Sequence, residues 1–177
     1  MKKYPQILVA ALGLSMFTAC ATTNAADNDT WFAREGMVNG INPPITAIWD
    51  LQVEVMDDNG NFDPALMDEA KWAALLAQAR LLDAAAQDMV TARNYAATDP
   101  LGTLGEAPEG TDLAAIDTRL QNHGAAFRLL ASTLADSTGA LVSAAEARDA
   151  ATVTQLVNDL QPQCHSCHEV FWYGTIE

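Results

Sequence analysis

The sequence predicts an all-α protein, built as an antiparallel four-helix bundle. Three observations predict it. Alanine, the best helix former and a poor strand former, supplies 33 of the 177 residues. Apolar residues recur at helical spacing in four long stretches, in one of them at every seventh residue. No stretch shows the sustained alternation of a half-buried strand. Half of the residues are apolar, which is enough for a core, and the length suits one compact domain with a tail.

The chain opens on an address. Lys2 and Lys3 precede the apolar run Ile7 to Leu14, which is too short for a comfortable membrane span. Phe17-Thr18-Ala19-Cys20 puts small residues before a lone cysteine and resembles a bacterial lipobox, with Phe17 where Leu is usual. Residues 1–19 are therefore expected to be a lipoprotein-type signal peptide. Acylated Cys20 would then be the mature N-terminus, and the protein exported, periplasmic and tethered to a membrane. Cleavage after Ala21 is the alternative, since Ala19-Cys20-Ala21 is also a small-x-small site, and a buried N-terminal helix is the third. Residues 20–30 are small, polar and aperiodic, and read as a flexible tether.

Residues 31–177 read as the helical domain. A first segment runs from about Trp31 to Asp57, with Ile45, Ile48, Trp49, Val53 and Met56 near one face. Proline lacks a backbone donor and clashes one turn back, so Pro43-Pro44 should end one helix and start another. Asp57 to Asn61 reads as a plain turn; its glycine position and the lack of a distal Glu do not suit a calcium loop. The second helix is expected from Asp63-Pro64, an N-cap and a first-turn proline, to about Arg93. Its stripe is Trp72, Leu75, Ala79, Leu82, Ala86 and Met89, widened by Ala73, Ala77 and Leu81.

Pro100, Gly102, Gly105, Pro108 and Gly110 mark a long loop. The third helix should run from about Thr111 to Arg148. Leu113, Leu120, Phe127, Leu134 and Leu141 form one heptad seam, and Ile116, His123, Leu130 and Ala144 a second. The fourth begins near Asp149, with Val153, Leu156, Val157 and Leu160 on one face, and leads into Cys164-His165-Ser166-Cys167-His168. Pro162 should loosen or kink the turn that presents this motif.

Cys164-x-x-Cys167-His168 is the pattern of c-type haem attachment. Two thiols three residues apart lie on one helical face and can add to two vinyl groups on one porphyrin edge. The next residue, His168, then offers its imidazole to the iron. The expected cofactor is one covalent haem c. Thioether formation needs reduced thiols outside the cytoplasm, which agrees with the leader. A zinc site fits poorly, because four ligands within five residues cannot surround one tetrahedral ion. A thioredoxin-like dithiol needs a βαβ context that the sequence lacks.

A CxxCH at the end of the last of four helices resembles the class II cytochromes c, the cytochrome c-prime group and its low-spin relatives. The likeness covers about Trp31 to Tyr173. It rests on the terminal motif, on the run from Ala140-Leu141 to Asp149, and on Arg34-Glu35-Gly36-Met37. The Met37, Pro43 and Trp49 spacing is similar to a proteobacterial branch of that class. The resemblance implies a distal ligand in the first segment, and Met37 is the residue at that place. It also implies that Arg34 meets a haem propionate, with a plain surface arginine as the alternative. Met37 as core filler, an empty distal face and a bis-His site with His123 remain open. Met56, Met67 and Met89 read as packing, and His165 as solvent-facing. Phe171, Trp172 and Tyr173 are expected to wall the haem edge and to anchor the C-terminal turn. Relatives often pair through their first two helices, so a homodimer is among the states the resemblance implies.

Net charge excludes one class of partner. The chain carries -14, and losing Lys2 and Lys3 with the leader makes it -16. Such a surface repels phosphate, so no nucleic-acid partner is expected. It would steer redox partner proteins that present basic patches. The expected function is a monohaem cytochrome carrying single electrons with His168 and Met37 on the iron, and not an enzyme. The alternative is a five-coordinate haem protein that binds nitric oxide or carbon monoxide. A peroxidase would need a distal acid/base pair, for which His123 is the only base on offer.

Overall fold

The computed structural model of the protein describes residues 29–60 and 62–174. The leader, Cys20 and the tether as far as residue 28 lie outside the described residues. The architecture is helical apart from two three-residue strands. β1 (Thr30–Phe32) leads into α1 (Ala33–Glu35), a π-helical segment (Gly36–Ile41) and α2 (Asn42–Glu54). Then come α3 (Glu69–Thr91), β2 (Asn94–Ala96), α4 (Leu113–Asn122), α5 (Gly124–Ala147) and α6 (Ala150–Phe171). α3 packs against α2 and α5, and α5 against α6. Among the described residues, no helix is long and apolar enough to cross a membrane.

The first segment departs from the proline rule. The helix does not stop before Pro43; it widens. Within the π-helical segment the Asn42 N–H reaches back to the Met37 carbonyl, just ahead of the two residues that have no N–H to give. The wider turn relieves the clash that the proline rings would make in a regular α-helix. Pro43 and Pro44 then fall in the first turn of α2, where missing donors cost little. Ile45 and Ile48 are buried as expected, but Val53 is 68% exposed. Val55 takes its place in the core, because the helix ends at Glu54 and the chain turns inward.

α3 starts later than Asp63-Pro64 suggests. Asp63 caps only a 3-10 turn (Pro64–Leu66), accepting from the Ala65 N–H. The helix proper begins after Asp68, whose carboxylate accepts from the Lys71 N–H at 2.8 Å. The six-residue stripe from Trp72 to Met89 is the buried face of α3. The widening is not: Ala73, Ala77 and Leu81 face solvent, because α3 is covered on a single face.

The third predicted helix is two. His123, at φ -123 and ψ 29, leaves the helical region and separates α4 from α5. Its carbonyl accepts from Ala126 and Phe127, so the next helix starts at once. Ile116, Leu120, Phe127 and Leu141 are buried as the seams require, while Leu113, Leu130 and Leu134 are only partly covered. α6 runs unbroken through Pro162, and the Ser166 hydroxyl donates to the Pro162 carbonyl at 2.8 Å.

The strands were invisible to periodicity, being three residues each. β1 pairs in parallel with β2, Trp31 opposite Tyr95. Asp29, read from the sequence as tether, takes part in this junction: its carbonyl accepts from the Arg93 and Asn94 N–H groups, both at 2.9 Å. Gly60, at φ +80, closes the Asp57 turn with an N–H to the Asp57 carbonyl.

Gly36 shows how tightly the first segment is seated. A Cβ there would run into the Trp31 indole, which itself packs on Phe127 with ring centroids 5.7 Å apart. Gly36→Ala is expected to destabilise the fold by about 1–3 kcal/mol, read as a lower denaturant midpoint. An unchanged midpoint would mean that the indole yields freely.

Candidate functional site

Three residues of α6 define the site. Cys164, Cys167 and His168 sit on the last two turns of the helix and are half-buried. Both thiols are free. Helical spacing puts Cys164, Cys167 and His168 on one side, one turn apart. His165 points the other way, is 64% exposed and lies 3.1 Å from Glu169.

Aromatic packing fixes the end of α6. Phe171 is buried edge-on against Phe127 at 5.1 Å, and Tyr95 meets the same ring at 4.5 Å. The Tyr95 hydroxyl donates to the Met89 carbonyl at 2.9 Å, tying this cluster to the end of α3. Arg119 donates to the Phe171 carbonyl at 3.1 Å.

A cavity of about 210 Å³ lies over the motif. Cys164, Cys167, His168 and Gln163 form its α6 wall. Met37, Ile41, Ile45 and Trp49 face them from the first helical run, with Met89, Leu130 and Leu134 closing the remainder. A groove of about 270 Å³ adjoins it and shares Met37, Asn42 and His168. Arg34, Val38, Pro108, Trp172 and Tyr173 line that groove.

Burial sets the protonation states. It pushes the Cys164 thiol up, and it pushes the Cys167 thiol up to about 11, with Cys164 adding to the effect. It lowers His168, and the neighbouring His165 lowers it further. Near neutral pH both sulfurs therefore keep their protons, and His168 is the neutral imidazole that can ligate a metal.

These residues fit a covalently held haem. Two reduced thiols, a neutral imidazole and a thioether share one largely apolar cavity. One lining residue holds a polar atom without a partner: among the described residues, Gln163 Oε1 is the buried side-chain oxygen or nitrogen left without a hydrogen bond.

The other residues singled out in the sequence are placed as follows. Met37 and Trp49 reach the cavity, as does Met89, which periodicity reads as packing alone. Met67 lines a separate apolar pocket with Phe62 and Leu75. His123 is at the α4–α5 junction and is not part of the cavity wall. Arg34 donates to the carbonyls of Gly105 at 2.7 Å, Leu104 at 3.3 Å and Glu106 at 2.5 Å, so it clamps the long loop. Glu35 holds the same loop through Thr98 and Asp99. Trp172 and Tyr173 line the groove, with the Tyr173 ring 6.4 Å from His168 and edge-on to it. Sequence reasoning missed Gln163 and the loop clamp, while Met89 is packed in the core as read from the sequence.

Comparison of the chain with protein-family models, with curated proteins and with solved structures finds no match.

Proposed function

We propose that the chain is a monohaem c-type cytochrome that carries single electrons, in which Cys164 and Cys167 would anchor the haem and His168 and Met37 would ligate its iron. One observation carries the reading: a single cavity brings Met37, from one end of the domain, to the CxxCH motif at the other. Each thiol would hold the haem by addition to one vinyl group, sulfur to one carbon and hydrogen to the other, which needs no oxidant. The haem iron, when bound, takes up one electron and gives it back. His168, held neutral by burial, offers a nitrogen lone pair, and Met37 a sulfur. A His/Met pair raises the reduction potential relative to other ligand sets. Ile41, Ile45, Trp49 and Leu130 keep water from the site. The acidic surface, -16 without the leader, favours partners with basic patches.

The finer architecture belongs to the same proposal. The cavity is lined by the first helical run from Met37 to Trp49, the end of α3, the first half of α5 and the end of α6. Four helices alternating in direction produce that gathering. At the opposite end, Arg148 after α5 pairs with Glu69 at the start of α3, and Gln52 late in α2 donates to Asn158 in α6. Both contacts support an antiparallel four-helix bundle of the class II cytochrome c type.

The visible spectrum of the purified protein tests the ligand set. A low-spin ferric spectrum and slow carbon monoxide binding by the reduced form are expected. A high-spin spectrum with rapid carbon monoxide binding would instead support the five-coordinate, gas-binding alternative.

Export and acylation at Cys20 complete the proposal. Labelled palmitate should enter the wild-type protein and not Cys20→Ser. Label that persists in the variant would overturn the lipid anchor.

A further inference from the structure

We infer that Gln163 tunes the reduction potential of the site, and that Ser137 positions it. The inference rests on the haem reading above. The hydrogen-bond chain fixes which way the Gln163 amide points. Ser137 has one hydroxyl proton, and it goes to the Thr133 carbonyl at 3.1 Å. The Ser137 oxygen can therefore only accept from Gln163, which donates through Nε2 at 2.9 Å. With the Ser137 proton on the Thr133 carbonyl, turning the amide over would set two acceptors against each other. The orientation is thus dictated by a neighbour 26 residues away in sequence.

The other end of the amide, Oε1, is buried without a partner. Its residue lines the cavity with Cys164, Cys167 and His168. An amide carbonyl is the negative end of a dipole, and in an apolar surrounding nothing screens it. Leaving such an acceptor unmet costs stability, so a residue with no polar atom would suit packing better. The chemistry that an unpaired negative dipole serves beside a redox centre is stabilisation of the more positive state. The oxidised site carries one more positive charge than the reduced one. Gln163 Oε1 favours it and lowers the potential; Ser137 holds the dipole in place.

The test is equilibrium titration of the holoprotein with redox mediators. Gln163→Met keeps the side-chain length and removes the dipole. At a fixed ambient potential its ratio of reduced to oxidised protein should rise roughly three- to tenfold over wild type. Ser137→Ala releases the amide and should shift the ratio the same way by less. The low-spin spectrum should stay in both, since neither residue ligates the iron. A Gln163→Met variant that folds, keeps its spectrum and titrates like wild type overturns the inference. A wild-type protein without covalent haem overturns the haem reading itself.

Discussion

Replacing Cys164 and Cys167 together by alanine is expected to remove all covalently held haem. Acidified acetone should then strip the cofactor completely, whereas it should leave haem on the wild-type chain. The effect is all or none because the described domain has no third thiol: Cys164 and Cys167 are its free cysteines. Both are half-buried on the same helical face, and burial keeps them protonated near neutral pH. Each single variant should keep one thioether and hold its haem less firmly. What remains in the double variant is His168 and an apolar cavity, which bind haem reversibly. Full retention of haem through acid acetone by the double variant would contradict the assignment.

Met37→Ala is expected to give the second large effect, a conversion of the iron from low to high spin. The variant should bind carbon monoxide rapidly when reduced, and its potential should fall, because the sulfur ligand that favours the reduced state is gone. Met37 lines both the cavity and the groove beside His168. Its backbone is unusual too: the Met37 carbonyl accepts the π-type bond from Asn42 that lets the helix pass Pro43 and Pro44. π-segments within helices recur at functional sites because they re-aim a side chain without ending the helix. Met89→Leu is the control. Met89 also lines the cavity, but it is 2% exposed and packed into the core. A volume-conserving swap there should cost less than about 1.5 kcal/mol and leave the spectrum unchanged. A low-spin Met37→Ala protein whose spectrum then responds to Met89→Leu would move the ligand to Met89.

Long helices with one covered face were legible in the sequence. The stripe from Trp72 to Met89 matches the buried face of α3, because a single amphipathic helix leaves a clean 3.6-residue period. The CxxCH motif was legible for a different reason: its chemistry depends on local spacing alone. Features decided by distant contacts were not. The seams run on through His123 because the apolar positions keep their register on both sides of the break. The proline pair signals a stop, and whether a helix stops or widens depends on what its flanks pack against. Here Gly36 is seated on Trp31, and Ile41 and Ile45 are held in the core. Arg34 illustrates the same limit. Its charge suggests a propionate partner, yet three loop carbonyls 70 or more residues away take up its guanidinium. Gln163 carries no sequence signal at all, since its meaning comes from Ser137 and from a missing partner.

The most direct test of the central claim is the intact mass of the protein purified from a host that matures c-type cytochromes. The account predicts the processed chain plus one haem, with a pyridine haemochrome spectrum of two saturated thioether links. A mass equal to the processed chain alone, under conditions where a control c-type cytochrome matures fully, would contradict it.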